Sequence, residues 1–275
     1  MSWVRLKGGI KCGGCDKSDW CLVSDDGKSF LCMRLESKLP FVLKDGSVGY
    51  IHKADGDHRV KPVVVKQERK KPAEDIEGIY YDCINATLHD WQEKLAKQLG
   101  VTYSSVKSMG AAWSKNKQAW LFPMRDGHNQ IVGIRVRAAS GEKWAITGSK
   151  NALFIPLDDY YQCRLFVFEG PTDTCAGYTV GVKSIGRPSC SAGLFDIVTF
   201  VKANRVKEVV IVADSDKPGL DGAEVLSRHL PVKSVTITMP CKDMREFIGI
   251  GGTRAMLNGM VDGMVWTMPV IGVTA

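Results

Sequence analysis

Two stretches of this 275-residue sequence decide its fold: Leu165-Phe-Val-Phe-Glu-Gly170 and Val209-Val-Ile-Val-Ala-Asp-Ser-Asp216. Each is a continuous apolar run that ends in acidic residues and is followed by a helical pattern. Apolar strands that alternate with helices are typical of a buried parallel sheet, in which ligands collect beyond the carboxyl ends of the strands. We therefore predict a parallel-sheet domain over residues 161–250, with its chemistry at that edge.

The acidic residues at these strand ends form a candidate metal site. Neighbouring parallel strands deliver Glu169, Asp214 and Asp216 to the same edge of the sheet. Three converging carboxylates repel one another unless hard divalent cations such as Mg²⁺ or Mn²⁺ neutralise them. Asp173 is a further candidate, and for Asp221 both metal binding and helix capping stay open. The competing interpretation is a set of ordinary loop carboxylates.

A second candidate metal site lies near the start of the chain, in a predicted module over residues 1–45. Cys12, Cys15, Cys21 and Cys32 have the spacing C-x2-C-x5-C-x10-C. Four thiolates favour structural zinc, and Asp25-Asp-Gly-Lys28 predicts a hairpin that brings Cys21 and Cys32 together. Unliganded thiols are the alternative, but so small a module has too little apolar content to fold alone. Trp20 is expected either to stack on a base or to pack internally.

The rest of the chain is divided by its composition. Residues 46–74 are charged, contain prolines and predict a linker, whereas residues 75–160 predict an α+β middle domain. One amphipathic helix from Asp82 to Gln98 is expected, then a short helix ending near Gly110 and a small antiparallel sheet. Its predicted strands are Trp120–Met124, Gln130–Arg137 and Lys143–Thr147. The tail, residues 251–275, is apolar and either packs on the sheet or leads elsewhere.

Composition restricts the class of protein. The sequence is 44% hydrophobic and 24% charged, which excludes a fully disordered or collagen-like chain. No apolar run reaches the roughly 18 residues of a membrane span, and the start lacks the apolar core of a signal peptide, so a cytoplasmic location without membrane contact is expected. Thirty-seven basic residues against 30 acidic ones leave a net charge of +7, which favours a polyanionic partner.

The strand-ending Glu169-Gly170 followed by Asp214-Ser-Asp216 resembles the TOPRIM domain of bacterial-type primases, type IA and II topoisomerases and some small nucleases. Together with the cysteine module and the basic middle strands, the chain is similar to the zinc domain and RNA-polymerase core of bacterial and phage primases. The resemblance implies a nucleotidyltransferase that makes short RNA primers on single-stranded DNA, from ribonucleoside triphosphates, by a two-metal mechanism. Glu169, Asp214 and Asp216 are then the catalytic magnesium ligands.

The resemblance also implies a set of cationic residues that contact template or nucleotide. In the family, basic residues on the middle-domain strands have this role, and Lys242-Asp243 is similar to a Lys-Asp pair after the fourth strand. The residues assigned to it are Arg135, Arg137, Lys143, Lys217 and Lys242. Arg135 and Arg137 alternate onto one face of their strand, as a shared ligand requires, although ordinary surface solvation is the competing explanation.

Two departures from the family pattern matter. The spacing of the cysteines is not the commonest form, and G-x-x-x-x-G-K-[ST] does not occur in the sequence. We therefore expect the helicase module of many phage primases to be missing and a separate replicative helicase to be the partner, in phage or plasmid replication.

Other classes of protein explain less of the sequence. A metal-dependent TOPRIM nuclease accounts for the parallel sheet alone. A non-catalytic recombination mediator accounts for zinc and the parallel sheet, but it does not need Asp214 and Asp216 together with the polymerase-like middle sheet. A topoisomerase needs a tyrosine-bearing strand-passage domain for which there is no room. RNA synthesis, DNA cleavage or unchanged DNA in a single assay would separate a primase, a nuclease and a recombination mediator.

Overall fold

The computed structural model describes residues 3–6, 10–17, 20–43, 48–53 and 75–263. The chain divides into two compact units, Met1–Pro72 and Ala73–Ala275. Each is described by itself below.

The first unit is a five-stranded antiparallel sheet. Its strands are β1 (Trp3–Arg5), β2 (Leu22–Ser24), β3 (Ser29–Cys32), β4 (Pro40–Val42) and β5 (Val48–Lys53), in the order β1-β2-β3-β5-β4. The predicted hairpin is confirmed, since Leu22 pairs with Leu31 and Val23 with Phe30. Asp26 stabilises its turn by accepting hydrogen bonds from the Ser24 hydroxyl (2.6 Å) and the Lys28 amide (3.0 Å).

Strand β5 corrects the expected start of the linker. The sequence predicts a linker over residues 46–74, but Val48–Lys53 form a strand whose second half pairs with β3 and whose first half pairs with β4. The partner strand lies about twenty residues earlier in the sequence, so local composition does not reveal the pairing. Residues 54–74, including the basic end of the predicted linker, lie outside the described residues.

The second unit begins with three helices, α1 (Ile76–Asn85), α2 (His89–Leu99) and α3 (Tyr103–Met109). The prediction of one helix from Asp82 to Gln98 was wrong, because the helix is interrupted between Asn85, where α1 ends, and His89, where α2 begins. The Thr87 hydroxyl donates to the Cys83 carbonyl (2.6 Å) and accepts from the Trp113 amide (2.8 Å). This side chain competes for the backbone groups that would continue the helix. The predicted stops are confirmed, with Gly100 and Gly110 in left-handed caps.

The helices are followed by an antiparallel sheet of four strands. These are β6 (Ala112–Ser114), β7 (Ala119–Arg125), β8 (Ile131–Ala138) and β9 (Lys143–Ala145), paired in sequence order. Three were predicted, β6 was missed, and β9 ends two residues earlier than expected. One face packs Leu121, Ile134 and Val136 against α1, and the other packs Phe122 and Met124 against α2 and α3.

The last part of the unit is the predicted parallel sheet. Its strands are β10 (Arg164–Glu169), β11 (Ser184–Arg187), β12 (Glu208–Ala213) and β13 (Lys233–Thr238), in the order β11-β10-β12-β13, all parallel. Its helices are α4 (Pro171–Thr179), α5 (Leu194–Ala203), α6 (Lys217–His229), α7 (Met244–Gly249) and α8 (Arg254–Val261). Helices α5 and α6 cover one apolar face, and α4, α7 and α8 cover the other.

Charges at the amino-terminal edge of this sheet are paired. Glu208, at the start of β12, forms ion pairs with Arg164 on β10 and with Lys233 on β13 (2.9 Å for Lys233). The hydrogen bonds from these two side chains, that of Lys233 first, hold the pKa of Glu208 below its usual value. At the edge opposite the candidate site, an ion-paired ladder, formed by Arg164, Glu208 and Lys233, therefore links β10, β12 and β13.

Part of the apolar tail packs on the sheet. Helix α8 buries Leu257 in the cluster that contains Phe166 and Phe247. Residues 264–275 lie outside the described part of the chain, so the fate of the rest of the tail stays a prediction. Among the described residues, no helix is both long enough and apolar enough to cross a membrane.

Candidate functional site

The four cysteines of the first unit converge on one point. Their sulfur atoms all lie within 4.8 Å of one another, with Cys15 Sγ 3.6 Å from Cys21 Sγ and Cys21 Sγ 3.9 Å from Cys32 Sγ. The β2–β3 hairpin positions the last two. The first pair depends on Gly13, because a Cβ there would lie 2.8 Å from the ring of the buried Phe30.

Hydrogen-bond donors surround two of these sulfurs, those of Cys12 and Cys32. The amides of Arg34 and Leu35 donate to Cys32 Sγ (3.4 and 3.2 Å), and the amide of Gly14 donates to Cys12 Sγ (3.4 Å). Hydrogen bonds from the Cys21 and Cys32 thiols lower the pKa of Cys12 to about 3. A compact set of four cysteine sulfurs is the donor set of a structural zinc site, so the cluster fits the predicted zinc.

An exposed aromatic residue lies next in sequence to this cluster. Trp20 is 56% exposed, and the guanidinium of Arg34 lies 5.8 Å from its ring centroid. Of the two roles that the sequence left open, internal packing is contradicted by this exposure. An indole held beside a cation on the surface is suited to stacking on a nucleic-acid base.

The carboxyl edge of the parallel sheet brings the three predicted carboxylates together. Glu169 is the last residue of β10, Asp214 follows β12, and Asp216 caps α6 by accepting from the Gly219 amide (2.8 Å). Gly219 is required by this close approach, because a Cβ there would lie 2.6 Å from the Asp214 carbonyl oxygen. The geometry thus places all three where the sequence predicted.

Two more carboxylates belong to this cluster. Asp173 lies in the first turn of α4, and Asp243 caps α7 by accepting from the Glu246 amide (2.8 Å). Asp173 had been singled out only as a further candidate, and Asp243 only as part of the Lys-Asp pair. The signal was available, since both follow strands that end at this edge. Asp221 lies one turn into α6 and pairs with Lys217 (3.0 Å), so it does not cap the helix.

Burial and mutual repulsion raise the proton affinity of three carboxylates in the cluster. Burial, followed by the charges of Asp214 and Asp216, raises the pKa of Glu169. Burial and the neighbouring Asp243 raise the pKa of Asp173 to about 6, although Arg245 opposes the shift. Burial and then Asp216 raise the pKa of Asp214 in the same way. The carboxylates at the carboxyl edge of the parallel sheet therefore lie close enough to shift one another's pKa values.

The cluster fits a hard divalent cation. Its donors are carboxylate oxygens alone, the ligands that Mg²⁺ and Mn²⁺ prefer. Asp173 Oδ1 is buried and has no hydrogen-bond partner within the described part of the chain. A buried acceptor without a donor is costly, and a cation would satisfy it.

A buried arginine adjoins the cluster from the edge strand. Arg187 pairs with Glu169 in the β10–β11 register and is only 6% exposed. It donates from Nε to the Ser189 carbonyl (2.9 Å) and from Nη1 to the Gly222 carbonyl (3.4 Å). Its charge opposes the rise in the pKa of Glu169. Sequence reasoning missed this residue, because nothing in Ser184-Ile-Gly-Arg187 marks it as different from a surface arginine.

The basic middle strand reaches the same region. Arg135 and Arg137 share one face of β8, and Ile134 and Val136 point the other way into the core. Burial, and then repulsion from Arg245, lower the pKa of Arg137, whereas Asp173 raises it. Arg137 therefore lies within electrostatic reach of the carboxylates. Arg135 donates to the Asn151 side chain (3.3 Å), and its buried Nε has no hydrogen-bond partner in the described residues.

Known structures match the fold of this chain, although no family model and no curated protein matches the sequence. The catalytic core of Escherichia coli primase aligns with a TM-score of 0.55 at 14% identity, covering 68% of this chain and 78% of that one. A DnaG primase catalytic domain bound to single-stranded DNA aligns with a TM-score of 0.54 at 15% identity, covering 67% and 78%. This chain has the DnaG-type primase fold.

The primase fold extends over both units. The Aquifex aeolicus primase structure, which comprises zinc-binding and RNA polymerase domains, covers 96% of this chain and 80% of its own, with a TM-score of 0.52 at 13% identity. The cysteine unit and the mixed α/β unit of this chain thus occur in the same order in a primase of known structure.

Three lysines predicted for this primase-like site lie at its exterior. Lys143 is exposed on β9 and pairs in register with Arg137. Lys217 is 85% exposed and held by Asp221, and Lys242 is exposed beside Asp243. Neither Lys217 nor Lys242 forms an ion pair with the five clustered carboxylates in the described structure, so the structure does not bring them into the cluster.

We expect the variant Asp173→Asn to stabilise this unit at neutral and alkaline pH. The folded-state pKa of about 6 lies above the ordinary value of 3.8, so folding favours the protonated carboxyl. Stability is then lost as the pH rises from about 4 to about 6. Asparagine mimics the protonated form, and the gain at about pH 8 should approach 3 kcal/mol.

Urea unfolding at about pH 5 and about pH 8 measures this gain. Asp82→Asn, at an exposed position of α1, is the matched control and should change stability by less than about 0.5 kcal/mol. Lower stability of the Asp173→Asn variant than of the wild type at the higher pH would contradict the assignment.

Proposed function

We propose that this protein is a DNA primase, a DNA-directed RNA polymerase that synthesises short RNA primers on single-stranded DNA. The observation that carries the proposal is the cluster of Glu169, Asp173, Asp214 and Asp216 at the carboxyl edge of the parallel sheet, with Arg137 in electrostatic reach, within a primase fold. On this proposal the sheet is a TOPRIM domain, spanning about residues 161–250.

The proposed chemistry is an in-line nucleotidyl transfer. A 3′ hydroxyl attacks the α-phosphorus of a nucleoside triphosphate, and pyrophosphate leaves. Bound Mg²⁺ or Mn²⁺ would stabilise the attacking and leaving oxygens. Asp214 and Asp216 are the proposed principal ligands, and Glu169 is a further ligand, directly or through water. Their positions at strand ends allow phosphate to approach where the loops are slim, at Gly170 and Gly219.

The other parts of the chain receive separate roles. The cysteine module, about residues 1–45 with strand β5 added, is the proposed reader of the template sequence. It supplies an exposed aromatic side chain beside a cation, which is suited to single-stranded DNA. Residues 75–160 are proposed to form the first part of the polymerase core, after a linker in the stretch 54–74. The role of residues 251–275 beyond α8 is left unassigned.

The partners follow from this activity. We propose ribonucleoside triphosphates as substrates and single-stranded DNA as template, which suits the net charge of +7. The sequence contains no phosphate-binding loop of the helicase type, so strand separation is assigned to a separate replicative helicase, in the cytoplasm of a host that carries a phage or plasmid replicon. Strong DNA-stimulated ATP hydrolysis by the purified chain would contradict this division of labour.

Nucleotide binding is proposed to depend on the basic strands, chiefly on Arg137. Removing its half-buried guanidinium by Arg137→Ala should weaken nucleotide binding by about 10- to 100-fold, the range for a hydrogen bond to a charged group. Lys143→Ala should cost only a few-fold, since Lys143 is exposed. The corresponding roles proposed for Arg135, Lys217 and Lys242 rank below that of Arg137, because these residues are not placed at the carboxylates.

Titration of triphosphate binding and the KM for primer synthesis measure the effect. Lys202→Ala, an exposed lysine on α5, is the matched control and should leave both unchanged. If Arg137→Ala and Lys143→Ala both leave nucleotide affinity and primer yield unchanged, these two side chains do not bind nucleotide and serve only as hydrated surface charges.

The test of the activity itself is a single reaction. Single-stranded circular DNA, labelled ribonucleotides and Mg²⁺ or Mn²⁺ are incubated with the protein, and the products are sized on a gel. Short metal-dependent RNA supports the primase. Metal-dependent cleavage of the DNA without RNA would instead support a TOPRIM nuclease. DNA that is bound and left unchanged would support a recombination mediator.

A further inference from the structure

Helix α7 places an arginine inside the carboxylate cluster. Arg245 Nη2 donates to Asp243 Oδ2 (2.8 Å), and Arg245 Nε lies 3.7 Å from Asp173 Oδ1. The two aspartates come from different helices, α7 and α4, and repel each other, since the charge of Asp243 raises the pKa of Asp173. One guanidinium therefore lies between two carboxylates that belong to the proposed metal site.

The contact to Asp173 is incomplete. At 3.7 Å the Nε and Oδ1 atoms are too far apart for a hydrogen bond, and both are buried without any other partner in the described structure. Burying an unsatisfied donor and an unsatisfied acceptor side by side is costly. Arg245 thus offsets the charge of Asp173 without saturating its oxygen, which leaves that oxygen able to accept another cation.

The surroundings of Arg245 also weaken its interaction with Asp173 and Asp243. Its side chain is 31% exposed, and the charge of Arg137 lies close enough for mutual repulsion. These two guanidiniums lie at one end of the cluster, whereas the buried Arg187 offsets the charge of Glu169. A divalent cation entering the cluster therefore meets a positive charge already bound to Asp173 and Asp243.

We propose that Arg245 is an internal counter-ion of the carboxylate cluster that competes with the divalent cation and so weakens metal binding. The inference rests on the proposed function, because that function places a metal in the carboxylate cluster of which Asp173 and Asp243 are the part nearest Arg245. Arg245 is a positioning residue in this account: it holds Asp173 and Asp243 together, and a metal ion must displace its charge from them. Loss of the guanidinium should therefore raise the affinity of the site for the metal.

The experiment measures Mn²⁺ binding alone, by the electron paramagnetic resonance signal of the free ion. At about pH 8.5 the carboxyls are ionised and protons do not compete. Arg245→Gln should lower the dissociation constant for Mn²⁺ by at least about tenfold, because one positive charge near the ion is removed. Arg245→Lys keeps the charge and should remain within about threefold of the wild type. The control Arg254→Gln removes an exposed charge on α8 and should have no effect.

Two further measurements keep the inference open to refutation. Arg245→Met preserves the apolar stem and is measured alongside, in case Arg245→Gln does not fold. In the unaltered protein, Mg²⁺ should shift the nuclear magnetic resonance signal of the Arg245 Nε–H, and an unchanged signal would overturn the inference. So would an unchanged or weaker Mn²⁺ affinity in folded variants. No Mn²⁺ binding by the wild type would overturn the proposed function as well, whereas binding that is indifferent to Arg245 overturns this inference alone.

Discussion

RNA synthesis is expected to fall by at least about a thousandfold when Asp216 is replaced by asparagine, because several kcal/mol of transition-state stabilisation depend on metal-held charge. The variant should still fold. Asp216 caps α6 through the Gly219 amide, and asparagine caps helices about as well as aspartate. Since Asp216 is exposed, losing its repulsion from Asp214 should change the melting temperature little.

Primer synthesis, melting temperature and affinity for single-stranded DNA are measured together, for Asp214→Asn as well as Asp216→Asn. The control is Glu224→Gln, which removes a carboxylate from the exposed face of the same helix, where it pairs with Arg228. Undiminished primer synthesis by both aspartate variants would refute the catalytic assignment. A DNA cleavage activity that disappears in both, without any RNA product, would identify a nuclease instead.

The second large effect concerns the cysteine cluster. Cys32→Ser should remove zinc and unfold the first unit, because Cys32 is fully buried and accepts two backbone amides. Zinc binding supplies about 10–16 kcal/mol in small zinc modules, more than a core of this size provides. The second unit, with its own apolar clusters, should stay folded. On the proposed function, template-directed initiation should then fail, while the second unit retains its proposed metal site.

Metal analysis and limited proteolysis report these outcomes separately: zinc content should fall, and protease should digest the first unit and leave a stable fragment beginning near α1. Cys83→Ser, on α1 and outside the cluster, is the control and should retain zinc. If protein purified without chelator contains no zinc, the assignment of the cluster is wrong whatever the variants do.

The parallel sheet could be predicted from sequence because its signals are local. A run such as Val209–Ala213 is apolar on both faces, and such strands are buried between two layers of helices. The positions of Glu169, Asp214 and Asp216 then follow from strand direction alone. What could not be predicted depends on partners distant in sequence. Thr87 ends α1 with the help of the Trp113 amide, 26 residues later, and β5 is a strand only through its pairing with β3.

The carboxylate cluster shows the same limit. Asp173 and Arg245 are 72 residues apart and meet only because α4 and α7 pack on the same face of the sheet. The exposed positions of Lys217 and Lys242 are the converse case. Lys217 directly follows Asp216 and Lys242 directly precedes Asp243, yet both lysines are exposed to solvent. Proximity in sequence thus identified the carboxyl edge of the sheet, but not which basic side chains lie next to the carboxylates there.

The ion-paired ladder at Glu208 has a consequence for how the protein responds to acid. Its contribution to stability is present above the ordinary Glu pKa of 4.5 and is lost only as the pH falls towards the depressed value. At the opposite edge, Asp173 takes up its proton near pH 6, and burial raises the pKa of Glu169 and Asp214 as well. On the proposed function, mild acidification should therefore weaken metal binding and activity, while the ion pairs of Glu208 still join the strands at the opposite edge of the sheet. Full activity should return when the protein is neutralised.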